Sequence, residues 1–375
     1  MAEAYIEKQL ANARGDDEDV WKEVQTLHNR KLWHQLSVKI TEMLSSDLFA
    51  SGGMVELHDS FIVHFYDRIN LQTYAKMCLT VATQYESPHD ALAFFEQCLE
   101  RVSGDALARV CIISAMAELH LLLNQTDVTK AKLKEAEALL EEQAGVTEMH
   151  ANFYRVAAEY YKNQGVYHEF YTNALRYLGC IELDTLGPEQ QVQRAFDLAL
   201  AAILGKGVYN FGELLAHPIL ESLRSTSKEW LIDLLYAFNS GDLAKFEFLQ
   251  PQWGSDPDLK ANESVMQEKI RLLALMEMVF RAPANNRRLA FDAIGDATKT
   301  PVDQVEMLVM KALSLGLVRG SLDEVDSVAV LTWVQPRVLS QQQVEAMATR
   351  FNAWTATVDQ TASAMETRAP ELYAL

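Results

Sequence analysis

Residues 300–334 read TPVDQVEMLVMKALSLGLVRGSLDEVDSVAVLTWV, and two periodicities meet inside them. Thr300-Pro301 opens a run in which Val305, Leu308, Val309, Ala312 and Leu315 recur at three and four, the spacing of one helix face. Gly316 closes that run, as glycine does at a helix C-terminus. The next two segments, 317–322 and 328–334, are rich in β-branched and aromatic residues, and the polar turn 323–327 makes them a hairpin. Upstream, Pro283 stops a long apolar helix, 288–291 is short and extended, and Asp292 can cap a brief helix to Thr298. Short strand, helix, helix, hairpin is the order of a winged helix, and Pro336 ends it.

Towards the N-terminus the pattern is helical throughout. Leu71, Tyr74, Ala75, Cys78, Val81, Ala82 and Tyr85 form one stripe; Ser87-Pro88 then starts another with Ala91, Leu92, Phe95, Cys98, Leu99 and Val102. Further stripes run from Val146 to Tyr160 and from Val192 to Ile203, and breaks of a few residues separate them. Helices of about 13–18 residues joined by such short breaks pack antiparallel to their neighbours. A long series of them is an α-solenoid, here without a fixed repeat consensus. Thr226 with Glu229 reads as a capping box before Trp230, Gly241 as that helix's end, and Asn262 as the cap of a longer helix reaching Phe280.

Composition narrows the function. The 375 residues are 49% hydrophobic with only 16 glycines and 9 prolines, which suits long helices over a turn-rich β fold. The 33 basic against 52 acidic residues give a net charge of −19, a poor start for binding a phosphate backbone. Within 281–338 seven basic residues meet seven acidic ones, so the winged helix carries no basic patch and is expected to bind no nucleic acid. The acidic N-terminus lacks a signal or transit peptide, and no apolar run is long enough to span a membrane. The reading is a soluble intracellular chain. Its four cysteines show no CxxC pairing, and Cys78 and Cys98 read as small buried hydrophobes. None of the nine histidines has metal-ligand spacing, and no nucleophile motif appears, so no enzyme, metal or cofactor is expected.

The tail carries the most information. Ser340 and Gln343 read as a capping box, after which Val344, Met347, Phe351, Trp354, Val358 and Met365 follow at steps of 3, 4, 3, 4 and 7. That is the a/d seam of a coiled coil, with Thr361 at the remaining d position. Because the winged helix is complete before the seam begins, the expectation is that this helix packs against helices of other chains.

Several segments carry a family resemblance: residues 31–36 (KLWHQL), 209–215 (YNFGELL), 230–241 (WLIDLLYAFNSG), 305–318 and 332–338 (TWVQPRV). Together they resemble the PCI-domain subunits shared by the proteasome lid, the signalosome and the translation initiation factor three complex, and the proteasome-lid branch most closely. The resemblance implies three parts: a helical-repeat solenoid over 1–170, a PCI domain over 171–338 (helical part 171–282, winged helix 283–338), and a C-terminal bundling helix over 339–375. It implies a non-catalytic lid subunit, cytoplasmic and nuclear, in a hetero-oligomer that supports ubiquitin-dependent degradation. Its partners would be other PCI subunits of the lid, the lid deubiquitinase module and a ubiquitin-receptor subunit. Side-by-side packing of winged helices would use the hairpin edge through Leu322, Val328 and Val330, and the tail seam would join a shared helical bundle. The alternatives are a PCI scaffold of another complex, such as the signalosome, and a winged-helix protein that binds nucleic acid.

Overall fold

The computed structural model describes residues 2–12, 16–46, 49, 52–143, 145, 147–224, 226–283, 287–338 and 341–368. The chain divides into two compact units, Met1–Leu186 and Gly187–Leu375. The first is α1 (Ala2–Asn12), α2 (Asp16–Asn29), α3 (Trp33–Ser45), α4 (Met54–Ser60), α5 (Leu71–Ala82), α6 (Pro88–Arg101), α7 (Ala106–Leu122), α8 (Thr126–Glu141), α9 (Glu148–Gln164) and α10 (Tyr167–Cys180). From α5 onward each helix packs on the next, and α7 also packs on α5 and α9, the neighbour relations of stacked hairpins.

The reason for α7's central place is its composition. Apart from Arg109, Glu118 and His120 it is apolar around most of its circumference, and a helix so broadly apolar has to be largely enclosed. Cys111, Ile112 and Met116 enter one buried cluster, while Val110, Ile113 and Ala117 enter a second. Local chemistry sets the breaks. Asn70 and Asp105 accept from the Gln72 and Ala108 amides at the starts of α5 and α7, and Gly165 at φ 69° closes α9. The residue 170/171 boundary read from sequence falls inside α10, which packs along α9.

The second unit begins with α11 (Pro188–Leu204), α12 (Gly212–Ala216), α13 (Trp230–Ser240), α14 (Leu243–Phe248), α15 (Gln250–Trp253), α16 (Pro257–Ala261) and α17 (Glu263–Arg281). It continues through β1 (Arg288–Ala290), α18 (Phe291–Thr298), α19 (Val302–Ser314), β2 (Val318–Asp323), β3 (Val328–Val334) and α20 (Gln341–Arg368). Helix α17 is the axis, packing on α11, α13, α14, α16, α18, α19 and β3. The strand-helix-helix-hairpin order is a winged helix, as the sequence reading expects. Phe291, Ile294, Val305, Leu308, Val309, Leu317, Val318, Ala329 and Leu331 are buried within it.

Three caps differ from expectation. Thr226 Oγ donates to the Leu223 carbonyl and accepts only the Lys228 amide, so Glu229 becomes the N-cap of α13 with no reciprocal box. Asp292 lies inside the first turn of α18, which starts one residue earlier. The Asn262 amide donates back to the Asp258 carbonyl and caps nothing in α17. For Thr226 and Asn262 a carbonyl of the preceding turn takes the side chain instead.

Candidate assembly surfaces

Two elements of the second unit expose apolar side chains or unpaired strand backbone, and one latch ties the segment between them to the helical core. The latch is the segment 335–338 that leaves β3. Gln335 donates its amide to the Leu317 carbonyl at 2.8 Å. Arg337 pairs with Glu277 of α17 and donates to the Asn239 carbonyl at 2.9 Å. Val338 sits so close to Gly212 that a Cβ there would lie 2.4 Å from the valine Cβ, so only glycine fits. Beneath this, Lys269 of α17 is buried and gives its ammonium to the carbonyls of Ala202, Ile203 and Gly205 at 2.7, 3.0 and 2.9 Å. It thereby caps the C-terminus of α11, while burial pulls its pKa down to about 7.

The sheet has the order β1-β3-β2, so β3 is central and the hairpin's free backbone is the outer edge of β2. Leu322 lies opposite the buried Ala329, whereas Val328 faces Asp323 and Val330 faces Ser321. Directly opposed residues share a face and successive ones alternate, so Leu322 lies on the core side while Val328 and Val330 lie on the other. The sequence reading placed all three on one hairpin edge; the register separates them. Val328 and Val330 also pair with Ala290 and Arg288 of β1, so they have side chains to offer and no free backbone.

Opposed to the sheet, α19 buries Val305, Leu308, Val309 and Ala312 and leaves Met307 (68% exposed) and Met310 (44%) in water. Sequence reasoning passed over these two methionines, although their three-residue spacing off the buried stripe marks them as an outer apolar pair. In a groove-reading winged helix this face would be basic. Here every basic side chain of 281–338 is already engaged. Arg281 and Arg337 pair with Glu277, Arg288 with Asp326, Lys299 with Glu247 and Lys311 with Glu268. Arg287 donates to the Thr332 carbonyl, and Arg319 lies over the Trp333 ring at 4.6 Å.

The second exposed element is α20, about 42 Å long at 1.5 Å per residue. Its seam residues Val344, Met347, Phe351, Trp354, Val358 and Met365 are all exposed, from 42% at Met347 to 65% at Trp354. Among its described side chains, 344–368, only Ala362 is even half-buried. Thr361, in the seam's remaining position, bonds its hydroxyl to the Thr357 carbonyl at 2.8 Å, as Thr349, Thr355, Thr357 and Thr367 do four residues back. These hydroxyls are satisfied within the helix. The capping box expected at Ser340 and Gln343 lies outside the described residues.

Comparison with known proteins agrees with this layout. Residues 20–235 match the family described as PSD13 N-terminal repeats, and residues 243–333 match the PCI domain. The chain is 35% identical to the 26S proteasome non-ATPase regulatory subunit 13 homolog B of Arabidopsis thaliana, over 99% of this chain and 98% of the relative. It is 36% identical to the probable 26S proteasome regulatory subunit rpn9 of Schizosaccharomyces pombe (92% and 90%) and 33% identical to RPN9 of Saccharomyces cerevisiae (94% of each). With its repeats, its winged helix and near-complete alignment to these relatives in hand, the chain belongs to the 26S proteasome non-ATPase regulatory subunit 13 family.

Proposed function

We propose that the chain is a non-catalytic structural subunit of the proteasome regulatory-particle lid, assembling through its winged helix and α20 and supporting ubiquitin-dependent degradation in cytoplasm and nucleus. The observation that carries this is the row of six exposed apolar side chains on α20. Burying them fully corresponds to roughly 9–18 kcal/mol of gross apolar transfer, before the costs of association. That is ample to drive a shared bundle with helices of neighbouring subunits. The outer edge of β2 would offer backbone pairing to an adjacent winged helix, and Met307 and Met310 an adaptable apolar contact. The partners of this reading are the other PCI subunits of the lid, with the deubiquitinase module and a ubiquitin receptor reached through the assembly. No helix among the described residues is long and apolar enough to cross a membrane.

Deleting residues 340–375 tests the reading. The shortened chain should stay folded with an unchanged melting temperature, because the described side chains of α20 are exposed, and should fail to co-purify with lid subunits. A shortened chain that enters the lid as well as the full one would overturn the proposal.

A further inference from the structure

Helices α4, α5 and α6 bring three metal-binding side chains to one point inside the first unit. His58, Cys78 and Cys98 are at most 1% exposed, and their ligand atoms all lie within 4.8 Å of one another. Tyr74, equally buried, places its hydroxyl 3.1 Å from His58 Nε2 and 3.8 Å from Cys98 Sγ. The other nitrogen of the imidazole, Nδ1, lies 2.9 Å from Asp59 Oδ1. A carboxylate there holds the proton on Nδ1 and leaves the Nε2 lone pair facing the cluster, the arrangement by which acidic neighbours orient metal-bound histidines.

The dimensions fit a tetrahedral ion. With metal–sulfur bonds of about 2.3 Å and metal–nitrogen bonds of about 2.0 Å, tetrahedral donors stand roughly 3.3–3.8 Å apart. The separations of the Tyr74 hydroxyl from His58 Nε2 and Cys98 Sγ, 3.1 and 3.8 Å, bracket that range, and the trio, within 4.8 Å, needs closure of at most about 1 Å. Charge balances as well. Two thiolates and a phenolate would carry three negative charges. A divalent cation supplies two positive ones, and Arg101, whose Nη1 lies 3.2 Å from the Tyr74 hydroxyl, supplies the third. A buried cluster that sums to zero escapes the cost of an uncompensated buried charge.

We propose that His58, Cys78, Cys98 and Tyr74 form a closed structural site for a divalent cation of the zinc class, fastening α4 to the α5–α6 hairpin. Thiolate and imidazole donors select zinc or cobalt over magnesium and calcium, and four protein ligands leave no open position for catalysis. The site is independent of the winged helix and α20, so it stands or falls separately from the lid reading.

The test uses the full-length chain, stripped of metal under reducing conditions and titrated with cobalt(II). The expected result is one cobalt per chain, with sulfur-to-cobalt charge-transfer absorption and the strong visible bands of tetrahedral coordination. Zinc should displace the cobalt and raise the melting temperature. Cys78→Ser and Cys98→Ser should each abolish the charge-transfer band, while Cys111→Ser and Cys180→Ser should leave it. If the serine variants fail to fold, the folded wild-type titration decides alone: no charge-transfer band overturns the site. A band that survives both Cys78→Ser and Cys98→Ser, or a native Cys78–Cys98 disulfide that persists through reduction and excludes cobalt, overturns it equally.

Discussion

Arg337 and Glu277, 60 residues apart, form an ion pair whose side chains are only 10% and 15% exposed, and through it the strand that leaves the winged helix is tied to α17. Glu277 also holds Arg281 at 2.7 Å, and Arg337 also reaches the Asn239 carbonyl at the end of α13. The pair therefore joins the sheet, α17 and α13 at the point from which α20 departs. Arg337→Ala would leave Glu277 nearly buried with one exposed partner. The expected loss is about 2–4 kcal/mol in chemical denaturation, below the full cost of a stranded buried charge because Arg281 remains. Faster limited proteolysis after β3 should accompany it. A variant as stable and as protease-resistant as the parent would show that the latch does not depend on the pair.

Gly241 is required twice over. Its φ of 66° is left-handed, and a Cβ there would lie 2.5 Å from the Ala274 Cα and 2.7 Å from its amide nitrogen, both backbone atoms of α17. Gly241→Ala combines a left-handed penalty of about 1 kcal/mol with overpacking of about 1–3 kcal/mol, so urea denaturation should report a loss of roughly 2–4 kcal/mol. Gly316→Ala has the same sign of φ, 70°, and nothing within 4 Å of the added carbon, so only the smaller, conformational part should appear. Equal losses at the two glycines would refute the packing argument.

Why some of this was legible in the sequence follows from range. Gly241, Gly316 and the Ser87-Pro88 start act within one turn of their own helix, and the tail's heptad repeat needs no partner to be seen. The switch from helical to alternating pattern at Gly316 reveals the winged helix for the same reason. The separation of Leu322 from Val328 and Val330 was not legible, because the faces follow from the β2–β3 register, which a one-residue slip would reverse, and the two valines lose their free backbone to β1, a three-residue strand about 40 residues upstream of β3. Nor was the meeting of His58, Cys78 and Cys98, whose donors stand 20 residues apart on separate helices, the two cysteines on stripes that read as ordinary core. Thr226 failed as a cap because the Leu223 carbonyl competes for its hydroxyl, a contest that local pattern alone cannot decide.

Lys269 ties stability to pH. Burial lowers its pKa in the folded chain to about 7 from an ordinary 10.5. Between those values the unfolded chain holds a proton that the folded chain has released, so stability rises with pH across that window. Lys269→Met removes this dependence and strands the carbonyls of Ala202, Ile203 and Gly205. Denaturation at pH 7 and at pH 9 should show the parent's advantage over the variant growing at the higher pH. An advantage that stays level between the two pH values would mean that the three carbonyls favour the ammonium at least as much as burial disfavours it.

The seam of α20 separates folding from assembly within single substitutions. Phe351 is 58% exposed and Trp354 65%, so an aspartate at either position removes little that the isolated chain uses. Phe351→Asp and Trp354→Asp should therefore melt within about a degree or two of the parent, as substitutions at exposed positions do. In a shared bundle the same aspartates would sit on the buried line of knobs, where an unpaired charge is costly. Incorporation into the lid, measured by pull-down on another lid subunit, should fall at least tenfold for both. Glu345→Lys changes a charge on the same helix one residue after Val344 and off the seam, and should assemble almost as the parent does. Three equal defects would place the contact outside the seam, and aspartate variants that unfold in isolation would place these rings in the chain's own core.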